Sequence, residues 1–184
     1  MLHLLYPLDQ YYSDHQAVMP EVEEVEGAQM PQPYQLLLVH TTDMTTTLKG
    51  FYQEDPILSV LEYQNDNVIL TRRVVLYLPS NNARVEFGEI KIHLNCFDDI
   101  AKQLIVEGLI PLGEILKQQA IEFVSSPRSY FQVKCDEMIG TCLSVSPGVL
   151  LYGRNNQLTS PNGDVIADIV EILPNHDANN GICT

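Results

Sequence analysis

The clearest pattern in the chain is the alternation in Val68–Leu78, VILTRRVVLYL. At period two, Leu70, Arg72, Val74, Leu76 and Leu78 fall on one face and Ile69, Thr71, Arg73, Val75 and Tyr77 on the other. The stretch is predicted as a long central strand. Ile57–Tyr63 precedes it as a strand, and Gln64–Asn67 supplies turn chemistry, so the two form a hairpin. Pro79–Asn82 is a second turn, leading to a third strand over Arg84–Leu94, with Gly88 at a bulge or close backbone approach. Strands joined by such short turns form an antiparallel meander.

The period then changes. Phe97, Ile100, Ala101, Leu104 and Ile105 share one face of a helix over Phe97–Gly108, with Asp98 and Asp99 at its positive end and Gly108 closing it. Pro111–Lys117 opens a second short helix. The hydroxyl-rich run Thr41–Thr47 predicts an earlier helix from about Thr45 to Tyr52. Tyr130–Cys135, Val149–Tyr152 and Val165–Leu173 are further strands, with Asn155–Gly163 as the turn between the last two. Helices, a meander, helices and strands in that order give an α+β fold. The packed domain is expected over 34–174. Residues 1–33, with the acidic run Glu21, Glu23, Glu24 and Glu26 between prolines, are expected to form a peripheral solvated segment. His176–Thr184 is expected to belong to a loose tail, 175–184.

The 184 residues, 45% of them hydrophobic, suffice for one domain with a real core. A formal net charge of -14 argues against nucleic acid and anionic membranes as partners. It does not exclude a small anion, because screening over ~8 Å lets a local arginine cluster outweigh distant carboxylates. Cys96, Cys135, Cys142 and Cys183 form no CxxC pair and are expected to be reduced thiols in a cytoplasmic protein. His93 and Cys96 stand three apart, but no further residues complete a metal-ligand spacing, so no metal is expected. Neither a signal peptide nor a membrane-length apolar run is found.

Arg72 is the one polar residue on its strand face. A guanidinium stays charged, and leaving it buried and unpaired costs several kcal/mol in order of magnitude. It therefore needs an anionic partner, either a carboxylate across the sheet or a ligand in a closed pocket.

Several short strings resemble the chorismate pyruvate-lyase family, whose members make 4-hydroxybenzoate from chorismate. They are Asp43-Met44-Thr45, Arg72-Arg73-Val74-Val75-Leu76, Pro111-Leu112-Gly113, Leu151-Tyr152-Gly153-Arg154 and Glu171-Ile172-Leu173-Pro174. They occur in the family's order and span about residues 36–174. The resemblance implies a six-stranded antiparallel sheet with helices covering an enclosed pocket, and neither metal nor organic cofactor. It implies that Arg72 holds a ligand carboxylate and that Glu171 faces the ring hydroxyl, the two being the candidate catalytic residues. It further implies that Met44 lines the pocket, that backbone groups at Leu112 and Gly113 help hold the ligand, and that Arg128 is a second arginine of the site. Arg73 and Arg154, in the matching strings, are additional candidates for ligand contact.

The chain departs from the family at three places. Arg73 stands where an acidic residue is common, and Glu89 where an arginine is often found. Glu171 lies one position nearer the closing proline than in some members, and a one-residue slip would turn it to the other face. The implied activity is conversion of chorismate to 4-hydroxybenzoate and pyruvate, which mainly asks the protein to bind, orient and exclude water. The alternative is a binder, non-catalytic or differently active, of an anionic ligand with a hydrophobic body, such as an aromatic acid or a prenyl phosphate. The same fold serves as a small-molecule sensing domain in transcription regulators, so fold leaves activity open.

Overall fold

The structure is a computed structural model and describes residues 3–176. Its centre is one antiparallel sheet of seven strands: β1 (Val22–Val25), β2 (Ile57–Asn65), β3 (Ile69–Tyr77), β4 (Arg84–His93), β5 (Val124–Lys134), β6 (Leu150–Thr159) and β7 (Val165–Leu173). Their order is β1-β5-β6-β7-β4-β3-β2. The α+β class stands, with seven strands rather than six. β3, predicted as central, lies one place from the edge, because the return of β7 against β4 puts the last strand in the middle.

Two layers cover the sheet. On one face α1 (Asp9–Asp14) and α6 (Glu137–Leu143) place Tyr12, Ile139 and Leu143 against Val75, Phe87, Phe131 and Val170. On the other lie α2 (Tyr34–Leu38), α3 (Met44–Tyr52), α4 (Asp99–Glu107) and α5 (Leu112–Gln118). Here two clusters form, one around Leu37, Met44, Leu48 and Leu76, the other around Leu70, Ile90, Ile105, Leu112 and Leu158.

Local chemistry sets the helix starts. The side chains of Asp43, Asp98 and Asp136 each accept a hydrogen bond from the backbone N–H three residues on, capping α3, α4 and α6. Gly108 closes α4 in the left-handed region, φ 68°. Of the helical stripe expected there, Ala101 and Ile105 are buried, whereas Ile100 is 63% exposed and faces away from the core.

Three stretches differ from expectation. Residues 3–33 place Leu5, Leu8 and Tyr12 in the core and add β1, which pairs with β5. The acidic pattern hid this, because in the four-residue edge strand the glutamates Glu23 and Glu24 are exposed. Asn155–Thr159 continues β6 instead of turning, and the turn falls at Ser160–Asp164. Its amides are buried but satisfied: Asn156 donates to Ser125 Oγ at 3.0 Å and Gln157 to Asp168 Oδ1 at 2.8 Å. At Gly88 the sheet has no bulge but a close approach; a Cβ there would stand 2.8 Å from the Val170 carbonyl oxygen. Of the expected tail, 177–184 lies outside the described residues, while His176 packs beside Tyr34, Phe51 and Tyr52.

Candidate functional site

A pocket with about 70 Å³ of internal free volume lies between the two clusters on the helical face. Its floor is the even-numbered side of β3 and β4: Arg72, Val74, Leu76, Glu86, Gly88 and Ile90. Its roof is where the starts of α3 and α5 meet, with Asp43, Met44 and Thr45 beside Pro111, Leu112 and Gly113. Asn156, Leu158, Ile169 and Glu171 close the wall. The helix-opening strings thus become pocket rim because both helices begin above the same two strands.

The two ends of the floor are polar. Arg72 is 3% exposed, and among the described residues its side chain makes one hydrogen bond, a long one, Nη2 to the Ile110 carbonyl at 3.4 Å. Its Nε and Nη1 have no partner, and neither does Glu86 Oε2; these are the buried orphan side-chain atoms among the described residues. Burial lowers the Arg72 pKa to about 10, which still leaves a cation at neutral pH. Burial holds the Glu86 carboxyl well above the usual range; Glu171 and Asp43 push the same way, and Arg154 opposes them.

The remaining charges in the wall are spoken for. Arg154, fully buried on β6, is the register partner of Glu171 on β7, and their side chains form an ion pair through Nε and Oε2. The other Arg154 nitrogens donate to the carbonyls of Leu38 and His40 at 3.1 Å and of Thr42 at 3.4 Å. Burial and the Arg154 charge lower the pKa of His40, whose ring lies 3.2 Å from Arg154 Nη1. Burial pushes the Asp43 carboxyl up, but hydrogen bonds from Thr46 and the Lys117 ammonium at 3.1 Å outweigh it and leave it below the usual range. Asp43 also packs on Gly113, where an added Cβ would come within 3.1 Å of its side chain.

Of the residues singled out from sequence, Arg72, Met44, Leu112, Gly113 and Glu171 line the pocket. Glu171 faces inward, while Asp168 points to the opposite face and accepts from Gln157. Arg154 is present as the partner of Glu171, behind the lining. Arg73 lies on the other face of β3, bound to Glu89 at 2.9 Å and Glu62 at 3.0 Å. Arg128 is exposed, donates to Gln157 and does not line the pocket. The residue that sequence reasoning passed over is Glu86. The strand alternation in Arg84–His93 puts it on the same face as Gly88 and Ile90, a carboxylate on a core-facing side, which was the available signal.

Among the described residues, no group of three or more His, Cys, Asp or Glu is placed to hold a metal ion. His93 Nε2 stands 3.9 Å from Asp168 Oδ2. Cys135 and Cys142 are buried free thiols and Cys96 an exposed one; Cys183 lies outside the described residues. No described helix is long and apolar enough to cross a membrane.

No protein-family model and no curated protein matches the sequence. Solved structures do match the fold. The ligand-binding domain of a putative GntR-family transcriptional regulator from Bordetella bronchiseptica aligns with a TM-score of 0.53 and 13% identity, over 66% of this chain and 86% of that one. The effector domain of PhnF from Mycobacterium smegmatis gives 0.55 and 11%, over 72% and 88%. The possible transcriptional regulator YydK from Bacillus subtilis gives 0.55 and 10%, over 91% of both chains. This chain therefore shares the fold of these structures, a chorismate lyase-like arrangement of sheet and covering helices.

Proposed function

We propose that this chain binds a small anionic molecule with an apolar body in the pocket floored by β3 and β4, and that it binds without converting it. The observation that carries this is Arg72: a buried cation whose Nε and Nη1 have no partner, lining a space whose apolar walls are Val74, Leu76, Ile90, Leu112, Leu158 and Ile169. A planar guanidinium with free N–H groups suits a carboxylate or phosphate. The names of the similar structures, which speak of ligand-binding and effector domains, support a binding role.

The chorismate lyase reading gives Glu171 a place at the ring hydroxyl of the ligand. Glu171, the candidate, is already engaged by Arg154, which favours binding over turnover. Titration calorimetry with 4-hydroxybenzoate and a prenyl phosphate tests the proposal. A hydrogen bond to a charged group contributes roughly 1.5–3 kcal/mol, so Arg72→Ala should weaken binding by about tenfold to a hundredfold. Chorismate incubated with the protein should stay intact. Release of pyruvate and 4-hydroxybenzoate that disappears in Arg72→Ala would establish the lyase instead.

A further inference from the structure

The face of the sheet opposite the Arg72 pocket carries a second cleft, of about 110 Å³, lined by α1 with the residues before it and by β2, β3 and β4. Its lining differs in kind. Pro7 is its one aliphatic side chain, and the rest is aromatic, polar or charged. Several of these groups are engaged with one another. Arg73 bonds Glu89 at 2.9 Å and Glu62 at 3.0 Å, and Gln10 donates to Asp14 at 2.7 Å. The Tyr11 ring is occupied as well, by the Arg73 guanidinium at 3.8 Å and by the His15 ring at 4.2 Å between centres. Four side chains of the cleft are left more open. Tyr63, at the rim, is 60% exposed, and its ring packs on no other aromatic group or cation among the described residues. Gln64 is the register partner of Thr71, and Thr71 that of Lys91, so an amide, a hydroxyl and an ammonium stand in one row across β2, β3 and β4. Among the described residues the side chains of Gln64 and Thr71 make no hydrogen bond and Lys91 forms no ion pair. The Lys91 ammonium donates to the Tyr6 hydroxyl at 3.1 Å and has further protons to give.

We propose that this cleft is a second binding site, separate from the Arg72 pocket, and that it takes a neutral polyhydroxylated ring such as a monosaccharide unit. The open ring of Tyr63 offers a flat apolar body on which the C–H face of a sugar can lie. The row Gln64, Thr71 and Lys91 supplies both donors and acceptors, and a sugar hydroxyl gives and accepts in turn. The charges of the cleft select against other classes. Asp14, Glu62 and Glu89 stand against an anion, and Arg73 and Lys91 against a cation. Burial holds the Glu89 carboxyl above its usual range against the opposing charge of Arg73, and Glu62 and Asp9 push the same way, so a further negative charge has little to meet it. A hydrocarbon body finds no aliphatic wall here, in contrast to the Arg72 pocket. The inference does not rest on the binding role proposed for that pocket.

Amide NMR of the isotope-labelled full chain tests this, with the neutral methyl glycosides of glucose, galactose, mannose and xylose titrated separately, and benzoate and tetramethylammonium as charged probes. At least one glycoside should shift the amides of Gln64, Thr71 and Lys91 while those of Leu112 and Gly113, at the Arg72 pocket, stay in place. Tyr63→Ala and Gln64→Ala, both at exposed positions, should each weaken that glycoside by about tenfold, with thermal melts close to the parent's. Arg72→Ala should leave its affinity unchanged. If no glycoside shifts the three amides, or if the affinity survives both substitutions, the inference is overturned. A larger response at those amides to benzoate or to tetramethylammonium than to every glycoside overturns it too, because the ligand class is then a charged one. The Arg72 pocket is read separately, from benzoate shifts at Leu112 and Gly113 and their loss in Arg72→Ala, so either site can fail without the other.

Discussion

Arg72 and Arg73 share a strand, a charge and nearly the same burial, yet the two faces of the sheet treat them differently. Arg73 points toward α1. It donates to Glu89, its register partner across β3 and β4, and to Glu62 on β2, and its guanidinium lies 3.8 Å from the centre of the Tyr11 ring. Arg72 points toward α3 and α5 and meets hydrocarbon, with one long bond to a carbonyl. The cross-strand Arg–Glu pair expected of a buried arginine is thus present one residue away from where the binding candidate sits. A buried charge that the protein has fully paired belongs to the fold; one it leaves open, at a standing cost in stability, points to something outside the chain.

That contrast can be broken at either residue. Arg73→Leu should have the largest effect. It leaves Glu89, 4% exposed, without its main partner, and breaking a buried pair from one side costs about 3–5 kcal/mol. Urea denaturation should show that loss, and ligand affinity should change little, since Arg73 lies on the far face. Arg72→Leu should do the reverse. Replacing an unpaired buried cation with a hydrocarbon should raise the unfolding free energy by roughly 1–3 kcal/mol, while calorimetry shows binding lost. If Arg72→Leu destabilises the protein as Arg73→Leu does, the two arginines are equivalent and the distinction fails.

Glu86 sharpens the same comparison through pH. Its folded pKa lies above the unfolded value, so between the two the native state holds a proton that the unfolded chain has released. Stability contributed by this group is therefore complete below the unfolded value, near 4.3, and falls as pH rises toward the folded one, by at most about 1.4 kcal/mol per pH unit. Glu86→Gln should flatten that part of the stability curve, and identical slopes in parent and variant would show that Glu86 titrates normally. The smallest expected effect is at Tyr11. Tyr11→Leu removes the ring under Arg73, worth about 0.5–1 kcal/mol, and should lower the denaturation midpoint slightly with no change in binding.

Much of this was legible in the chain because it depends on local rules. The alternation in Val68–Leu78 assigned Arg72 and Arg73 to opposite faces, and that assignment follows from the pleat alone. The hairpin, the third strand and the helix closed by Gly108 depend on neighbours a few residues away, and the structure shows them close to where they were read. The α+β class followed from the order of the elements.

Other features depend on residues far apart in sequence, and only the tertiary structure decided them. Asn155–Gln157 has the composition of a turn, and it becomes strand because Ser125, Asp168 and the Tyr6 carbonyl stand ready to bond its amides. The acidic segment near Glu23 becomes a seventh strand because β5 offers a free edge. The partner of Glu171 is Arg154 rather than Arg72 or Arg73, because β6 and β7 pair in a register that sets them opposite. Which arginine remains open was likewise beyond the sequence: residue type and alternation establish that a cation faces the core, but whether a carboxylate waits there depends on strand register and helix placement across the whole sheet. Pairing is a property of three-dimensional neighbours, and a linear pattern records only which side each residue looks toward.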